Sequence, residues 1–108
     1  MWQRALSGSG GGGNGFRGSI NPSSTWAYVD CGFEPSDVLY WTIYGSTAVI
    51  YEYDVSNGKV YRWYTTGAKI DVTNSMLNIY IKVDGSKIYF TRTTDTGFST
   101  AVEIMAIK

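Results

Sequence analysis

The sequence predicts an all-β protein: an antiparallel, jelly-roll-like β-sandwich of about eight strands with an extended Gly-rich N-terminal arm. Short runs rich in β-branched and aromatic residues recur along the chain, and the dipeptides Asn57-Gly58 and Asp84-Gly85 separate four of them. Asx-Gly dipeptides favour two-residue type I′ turns, whose twist matches that of the strands they join. No stretch has a convincing helical period, so the sequence predicts strands throughout.

We expect residues 1–15 to form the arm and residues 16–108 to form the β-sandwich domain. Met1–Leu6 is a short apolar tip, and a tract composed almost entirely of Gly, Ser and Asn follows it. Such a tract is typical of a flexible linker. Because Gly loses more backbone entropy on ordering than any other residue, an ordered arm needs a neighbour. Trp2 and Leu6 are therefore the predicted contacts with another subunit.

Three segments before the first Asx-Gly turn have the pattern of strands. Arg17–Ile20 is a short edge strand that stops before Asn21-Pro22, and Trp26–Asp30 alternates in polarity. Asp37–Tyr44 is apolar on both faces, which predicts a central strand covered on each side. Between the last two lies a connector, residues 31–36, in which Gly32 and Pro35 interrupt strand pairing.

The hairpin around Asn57-Gly58 spans Ala48–Thr65. A two-residue turn there pairs Ser56 with Lys59, so that Tyr53 faces Arg62 and Glu52 faces Trp63. The apolar face of this hairpin is predicted core, and the opposite face mixes carboxylates with large aromatic rings. The core face carries Val49, Tyr51, Tyr53, Val55, Val60 and Tyr64, with Arg62 among them, and the mixed face carries Ile50, Glu52, Asp54, Tyr61 and Trp63.

A second hairpin, Met76–Arg92, is predicted around Asp84-Gly85, with Val83 paired to Ser86. This register makes Tyr80 and Tyr89 a cross-strand pair and sets Lys82 opposite Lys87. A short strand, Lys69–Val72, precedes the hairpin, and the closing strand is Ala101–Ile107. The predicted core face of the hairpin carries Leu77, Ile79, Ile81, Val83, Ile88 and Phe90.

Composition excludes several classes of function. Nine basic and nine acidic residues give a formal charge of zero, which argues against capture of nucleic acid by clustered Lys and Arg. The chain has one Cys and no His, so an intrachain disulfide and a thiolate or imidazole metal site are excluded. No apolar run is long enough to span a bilayer. We expect no cofactor, no metal and no membrane insertion.

The candidate ligand site is the mixed face, with Glu52, Asp54, Tyr61 and Trp63. Sugar sites pair an aromatic plate for the C–H face of a pyranose with carboxylates that accept hydroxyl hydrogen bonds, so these residues are glycan candidates. A subunit interface and an ordinary solvated face remain open alternatives. Asp54 and Glu52 lie two residues apart on one strand face, so they could be close enough for a glycosidase pair, but nothing in the sequence raises one pKa selectively.

Two further groups of residues are candidate sites. Tyr80 and Tyr89 are candidates for a subunit contact, with a self-supporting aromatic pair as the alternative. Carboxylates in loops and at strand ends could join a calcium site, but the sequence lacks the spacing of a calcium loop. These carboxylates are Asp30, Glu34, Asp37, Asp71 and Asp95.

Three stretches together resemble a known family: the Gly-rich arm after MWQRAL, then YVDCGFEPSDVLYW, and the end GFSTAVEIMAIK. They are similar to small tail-fibre, head-fibre or receptor-binding domains of phages and prophages of Gram-positive bacteria. The middle motif has Val29, Asp30, Gly32, Phe33, Pro35 and Val38. The end departs from the family pattern, since Met105-Ala106 stands where an aromatic residue is common.

The resemblance implies a non-enzymatic virion structural protein, made in the bacterial cytoplasm and assembled into a phage or prophage particle. It further implies a homo-oligomer, often a trimer, which contacts other virion proteins through its arm and host-surface glycans through its β-domain. A free-standing lectin-like carbohydrate-binding module is the alternative. An ordered Gly tract with an apolar tip favours the first, because a soluble lectin has no use for either.

Overall fold

The computed structural model describes residues 15–22, 25–44, 47–91 and 101–108. These residues form nine strands and one short helix. The strands are β1 (Gly15–Ile20), β2 (Ala27–Asp30), β3 (Asp37–Tyr44), β4 (Thr47–Asp54), β5 (Lys59–Trp63), β6 (Lys69–Asp71), β7 (Ile81–Asp84), β8 (Lys87–Phe90) and β9 (Val102–Ile107), and the helix, α1, is Thr73–Met76.

The strands form two antiparallel sheets, which confirms the all-β prediction. The larger sheet has the order β1-β9-β3-β4-β5-β6, and the smaller has the order β2-β8-β7. β1 lies at an edge and β3 lies in the interior of the larger sheet, as their sequences predict. The strand order does not confirm a jelly roll. Among the described residues, no helix has the length and apolarity needed to cross a membrane.

The main core lies between the two sheets. The ring of Tyr40 in β3 meets the ring of Phe90 in β8 edge-on, with centroids 5.1 Å apart, and stacks on Tyr51 of β4 at 5.3 Å. We call the side of the larger sheet that faces this core its inner face, and the opposite side its outer face. The buried residues of the core are Cys31, Val38, Tyr40, Tyr53, Val60, Met76, Ile81, Ile88, Phe90, Val102, Ile104 and Ala106.

The first hairpin exists, but its predicted register is wrong by two residues. Tyr53 pairs with Val60 and Asp54 with Lys59, which leaves a four-residue loop, residues 55–58. The backbone N–H groups of Val55 and Ser56 donate to the Ser36 carbonyl, so Val55 leaves the ladder. Only Gly58 has a positive φ in this loop, +66°, whereas a type I′ turn also needs one at Asn57. A shift of two preserves the face of every side chain.

The second hairpin is also shifted by two residues from its predicted register. Asp84 pairs with Lys87 and Val83 with Ile88, so the turn is Gly85-Ser86. Gly85 has a φ of +61° and Ser86 a negative one, which is the pattern of a type II′ turn. The N–H of Cys31 donates to the Ser86 carbonyl at 2.9 Å and holds Ser86 in the turn.

The first strand of the second hairpin was predicted to begin at Met76, but residues 76–80 are not part of a strand. The prediction that the chain has no helix was also wrong. The helix α1 and the following turn occupy this segment; Asn78 has a φ of +64°, and Ile79, expected in the core, is 43% exposed. The cause is local, because the Asp71 carboxylate accepts from the Thr73 N–H at 2.9 Å while the Thr73 hydroxyl accepts from the Val60 N–H. Met76 is thereby buried against the core.

The connector between β2 and β3 carries the chain from the smaller sheet to the larger one. Gly32 has a φ of +85°, and its N–H donates to the Asp30 carboxylate at 2.9 Å. Phe33 packs against the core, and Pro35 is buried. Cys31 is a buried thiol that donates to the Phe33 carbonyl at 3.1 Å. The motif that carries the resemblance therefore has a structural role in this fold.

Candidate functional site

The structure brings the predicted ligand residues together on the outer face of the larger sheet. Glu52 pairs with Tyr61 across β4 and β5, and Asp54 and Trp63 lie on the same face one step along each strand. Asp37 of β3 lies directly opposite Asp54, and Lys69 of β6 lies directly opposite Trp63. We call these six residues the outer patch: Asp37, Glu52, Asp54, Tyr61, Trp63 and Lys69.

A hydrogen bond orients the aromatic part of the outer patch. The indole N–H of Trp63 donates to the Glu52 carboxyl, with Nε1 and Oε1 2.9 Å apart. The predicted register places these two residues directly opposite each other, whereas in the structure they are diagonal neighbours that remain in contact. The bond fixes the plane of the indole ring and leaves the second oxygen of Glu52 as an acceptor.

Lys69 is a member of the patch that sequence analysis missed. Its ammonium nitrogen lies 4.1 Å from the centroid of the Tyr61 ring and 5.2 Å from that of Trp63. These distances fall within the range of cation–π attraction. A signal was present in the sequence, because the predicted strand that holds Lys69 follows the Trp63 strand after a short turn, and consecutive strands usually lie beside each other.

Asp37 is the second residue that was missed as part of this site. Burial, the adjacent Glu52 carboxyl and the charge of Asp54 together raise the pKa of Asp37 to about 8. The group therefore keeps its proton at neutral pH and can donate a hydrogen bond. The sequence pattern points only to Asp54 and Glu52 as a carboxyl pair. Asp37 was missed because it lies on another strand, β3, directly opposite Asp54.

Asp54 has a structural task besides its place in the patch. Its carboxylate accepts from the Asn57 backbone N–H at 3.3 Å and from the Asn57 side-chain amide at 2.8 Å. It thus caps the loop between β4 and β5. Glu52 is the carboxylate of β4 that accepts the hydrogen bond from the Trp63 indole.

An apolar cluster borders the patch toward β9. Met105 and Ile107 lie on the outer face and are nearly inaccessible, and Leu39 and Trp41 pack against them. Trp41 pairs with Ile50, and Ile50 pairs with Trp63. The outer face therefore changes from apolar at β9 and β3 to mixed aromatic and charged at β4, β5 and β6.

The predicted pair of Tyr80 and Tyr89 does not form. Because the hairpin register is shifted, Tyr89 pairs with Lys82 and with Tyr28 of β2, and its ring lies 5.3 Å from that of Tyr28. Tyr80 lies in the turn before β7. The expectation that Lys82 faces Lys87 was wrong for the same reason.

The outer side of the smaller sheet carries a second group of aromatic residues. The Lys82 ammonium lies 4.4 Å from the Trp26 ring centroid, and that of Lys87 lies 4.9 Å from the Tyr28 ring centroid. Lys87 pairs with Asp30 and Asp84. This surface matches the outer patch in its cation–π contacts, but it has no indole bonded to a carboxylate among the described residues.

The carboxylates weighed for calcium do not gather. Asp30 caps the Gly32 N–H, and Asp71 caps Thr73. Within the part of the chain that the structure describes, no three acidic or thiol side chains are arranged to hold a metal ion. Trp2, Leu6 and Asp95 lie outside the described residues.

Two carboxyl groups of the outer patch, those of Asp37 and Glu52, lie side by side. A glycosidase needs two carboxyl groups roughly 5 Å or more apart, with room for the sugar between them. Asp37 and Glu52 interact directly instead, so no ring fits between them.

The comparison with protein families, curated proteins and solved structures found no match for this chain.

Proposed function

We propose that this chain is a non-enzymatic binding domain that holds a carbohydrate on the outer patch. The observation that supports it best is the Trp63 indole, fixed by its bond to Glu52 beside Tyr61. An oriented ring offers an apolar plate to the C–H face of a pyranose at little cost in side-chain entropy. Glu52 lies beside the plate, and its carboxylate can accept hydrogen bonds from the hydroxyl groups of the sugar.

We further propose that the domain serves a phage or prophage particle, as a fibre or receptor-binding component that meets glycans of the host surface. Support for this comes from the resemblance of the arm, the Gly32-Phe33-Pro35 connector and the C-terminal strand. The same proposal makes the chain a homo-oligomer, with a trimer expected, whose arm contacts other virion proteins. A free-standing lectin-like module is the alternative, which light scattering distinguishes because a lectin of this kind is expected to be monomeric.

Binding to a glycan array tests the proposed function. The Trp63→Ala variant should lose the signal of the unmodified protein, because the plate is removed. Tyr28→Ala is the matched control, since Tyr28 is 51% exposed and lies on the other sheet; it should retain the signal. A signal that survives Trp63→Ala, or that Tyr28→Ala abolishes, contradicts the proposal.

A further inference from the structure

The aromatic plate of the outer patch already holds a cation supplied by the chain itself. The Lys69 ammonium lies over both rings, closer to Tyr61 than to Trp63. Faces of Tyr and Trp rings attract ammonium groups, and several proteins use such rings to recognise cationic ligands. Lys69 therefore marks a position where the patch stabilises positive charge.

Carboxyl groups lie on the same face of the sheet as the rings, and Glu52 is the one in contact with them. Glu52 is bonded to Trp63, and Asp37 and Asp54 lie opposite each other on the neighbouring strands. Mutual repulsion in this group helps to keep a proton on Asp37. A cation brought close to the group would relieve that repulsion, whereas an anion would increase it.

We propose that the outer patch takes an ammonium group of its ligand, as carried by a de-N-acetylated amino sugar, in the position that the Lys69 ammonium holds. This proposal rests on the proposed function and names the ligand class. The sugar ring lies on the Trp63 plate, its ammonium lies over Tyr61, and Glu52 faces that ammonium. The Lys69 ammonium occupies this position in the absence of ligand, and the ligand displaces it on binding.

The position of Lys69 allows this exchange. Lys69 belongs to β6, a three-residue strand at the edge of the sheet, and all three of its residues are exposed. A Lys side chain has four rotatable bonds and is free to extend into solvent from such an edge. The ion pair that links β6 to β5, between Lys59 and Asp71, is half-exposed and 3.8 Å long, and it does not involve Lys69.

Calorimetric titration with three oligosaccharides of matched length tests the proposal, in buffer at about pH 6 so that amines carry charge. The probes are oligoglucosamine (cationic), oligo-N-acetylglucosamine (neutral) and oligogalacturonate (anionic). We expect the cationic oligomer to bind about tenfold more tightly than the neutral one, and the anionic oligomer to bind most weakly. Equal or tighter binding of the neutral or the anionic oligomer overturns the proposal.

Two variants locate the effect. Lys69→Met removes the competing ammonium and keeps an apolar stem, so it should strengthen binding of the cationic oligomer several-fold and change that of the neutral oligomer less than about twofold. Lys87→Met is the matched control, because Lys87 also lies over a Tyr ring, and it should change neither. An unchanged affinity in Lys69→Met overturns the displacement of Lys69 by the ligand.

The experiments distinguish a failure of the ammonium proposal from a failure of the proposed carbohydrate-binding function. If neutral and cationic oligomers bind equally and Trp63→Ala abolishes both, the outer patch is a carbohydrate site without preference for charge. If no oligomer binds and the glycan array is also empty, the proposed function fails and the inference about the ammonium fails with it.

Discussion

The pair of Trp63 and Glu52 illustrates how single residues shape the outer patch. One hydrogen bond of 2.9 Å satisfies the indole N–H and fixes the ring on an open sheet face. A bond of this kind contributes about 1 kcal/mol net, which is small beside the area that an aromatic ring buries against a ligand. The value of the bond lies in orienting the ring before a ligand arrives.

Asp37 makes the stability of the fold depend on pH. Burial and the neighbouring carboxylates raise the pKa of Asp37 from 3.8 to about 8, so between these values the folded chain keeps a proton that the unfolded chain releases. Stability from this group is therefore present at low pH and falls as pH rises through the window. After allowance for solvent screening of a half-buried group, the free energy of unfolding should fall by about 1–2 kcal/mol across this window.

Urea unfolding at a series of pH values measures this prediction. In Asp37→Asn, the part of the slope between about pH 4 and pH 8 that comes from Asp37 should vanish. Asp71→Asn is the control; the hydroxyl and N–H of Thr73 lower the pKa of Asp71, so its contribution runs in the opposite direction. A slope that persists in Asp37→Asn contradicts the assignment.

At the scale of elements, the two hairpins show what sequence patterns can and cannot predict. The Asx-Gly dipeptides locate both turns, and alternation assigns the faces of the paired strand residues correctly, because a two-residue shift keeps those side chains on the same side of the sheet. The registers could not be predicted, since tertiary bonds decide them: Ser36 draws Val55 out of the ladder, and Cys31 holds Ser86 in the turn. These partners lie far from the hairpins in sequence.

The same limit explains why part of the site was missed. Glu52, Tyr61 and Trp63 lie within one hairpin, so local pattern suffices to place them together. Asp37 and Lys69 join from β3 and β6, and their proximity follows from the order of strands in the sheet. The short helix α1 escaped prediction because contacts of Thr73 with Val60 and Asp71 stabilise it, rather than any helical period.

Gly58 tests the loop between β4 and β5. Its φ of +66° is costly for a residue with a Cβ, although no neighbouring atom would obstruct one. Gly58→Ala should destabilise the fold by about 1 kcal/mol through backbone strain. Gly58→Asn is the matched variant, since Asn tolerates this conformation better, and it should cost less in a thermal or urea unfolding measurement. Equal costs would argue against the strained geometry.

At the scale of the whole molecule, two sheets of unequal size share one core and leave two different outer surfaces. The smaller sheet covers the inner face of the larger one through contacts such as that between Tyr40 and Phe90. Because three strands face six, the outer face of the larger sheet is the wider surface, and it carries both the apolar cluster and the outer patch. The sequence predicts the all-β class from its composition and its turns, but it does not predict that one sheet has six strands and the other three.

The shared core predicts that both sheets unfold together. Ile88 in the smaller sheet is fully buried, so Ile88→Ala should lower the free energy of unfolding by about 2–5 kcal/mol through lost burial and a cavity. Ile70→Ala is the matched control, since Ile70 is 49% exposed on the edge strand β6, and it should cost less than about 1 kcal/mol. Two separate transitions, or similar costs for both variants, would contradict a single core.

Backbone and indole NMR shifts recorded during titration with the best-binding oligosaccharide show whether the outer patch binds the ligand. We expect the indole N–H signal of Trp63 to shift together with amide signals of β4, β5 and β6, while signals of Tyr28, Lys87 and Tyr89 on the smaller sheet stay in place. Shifts confined to the smaller sheet, with the Trp63 indole unmoved, would contradict binding at the outer patch.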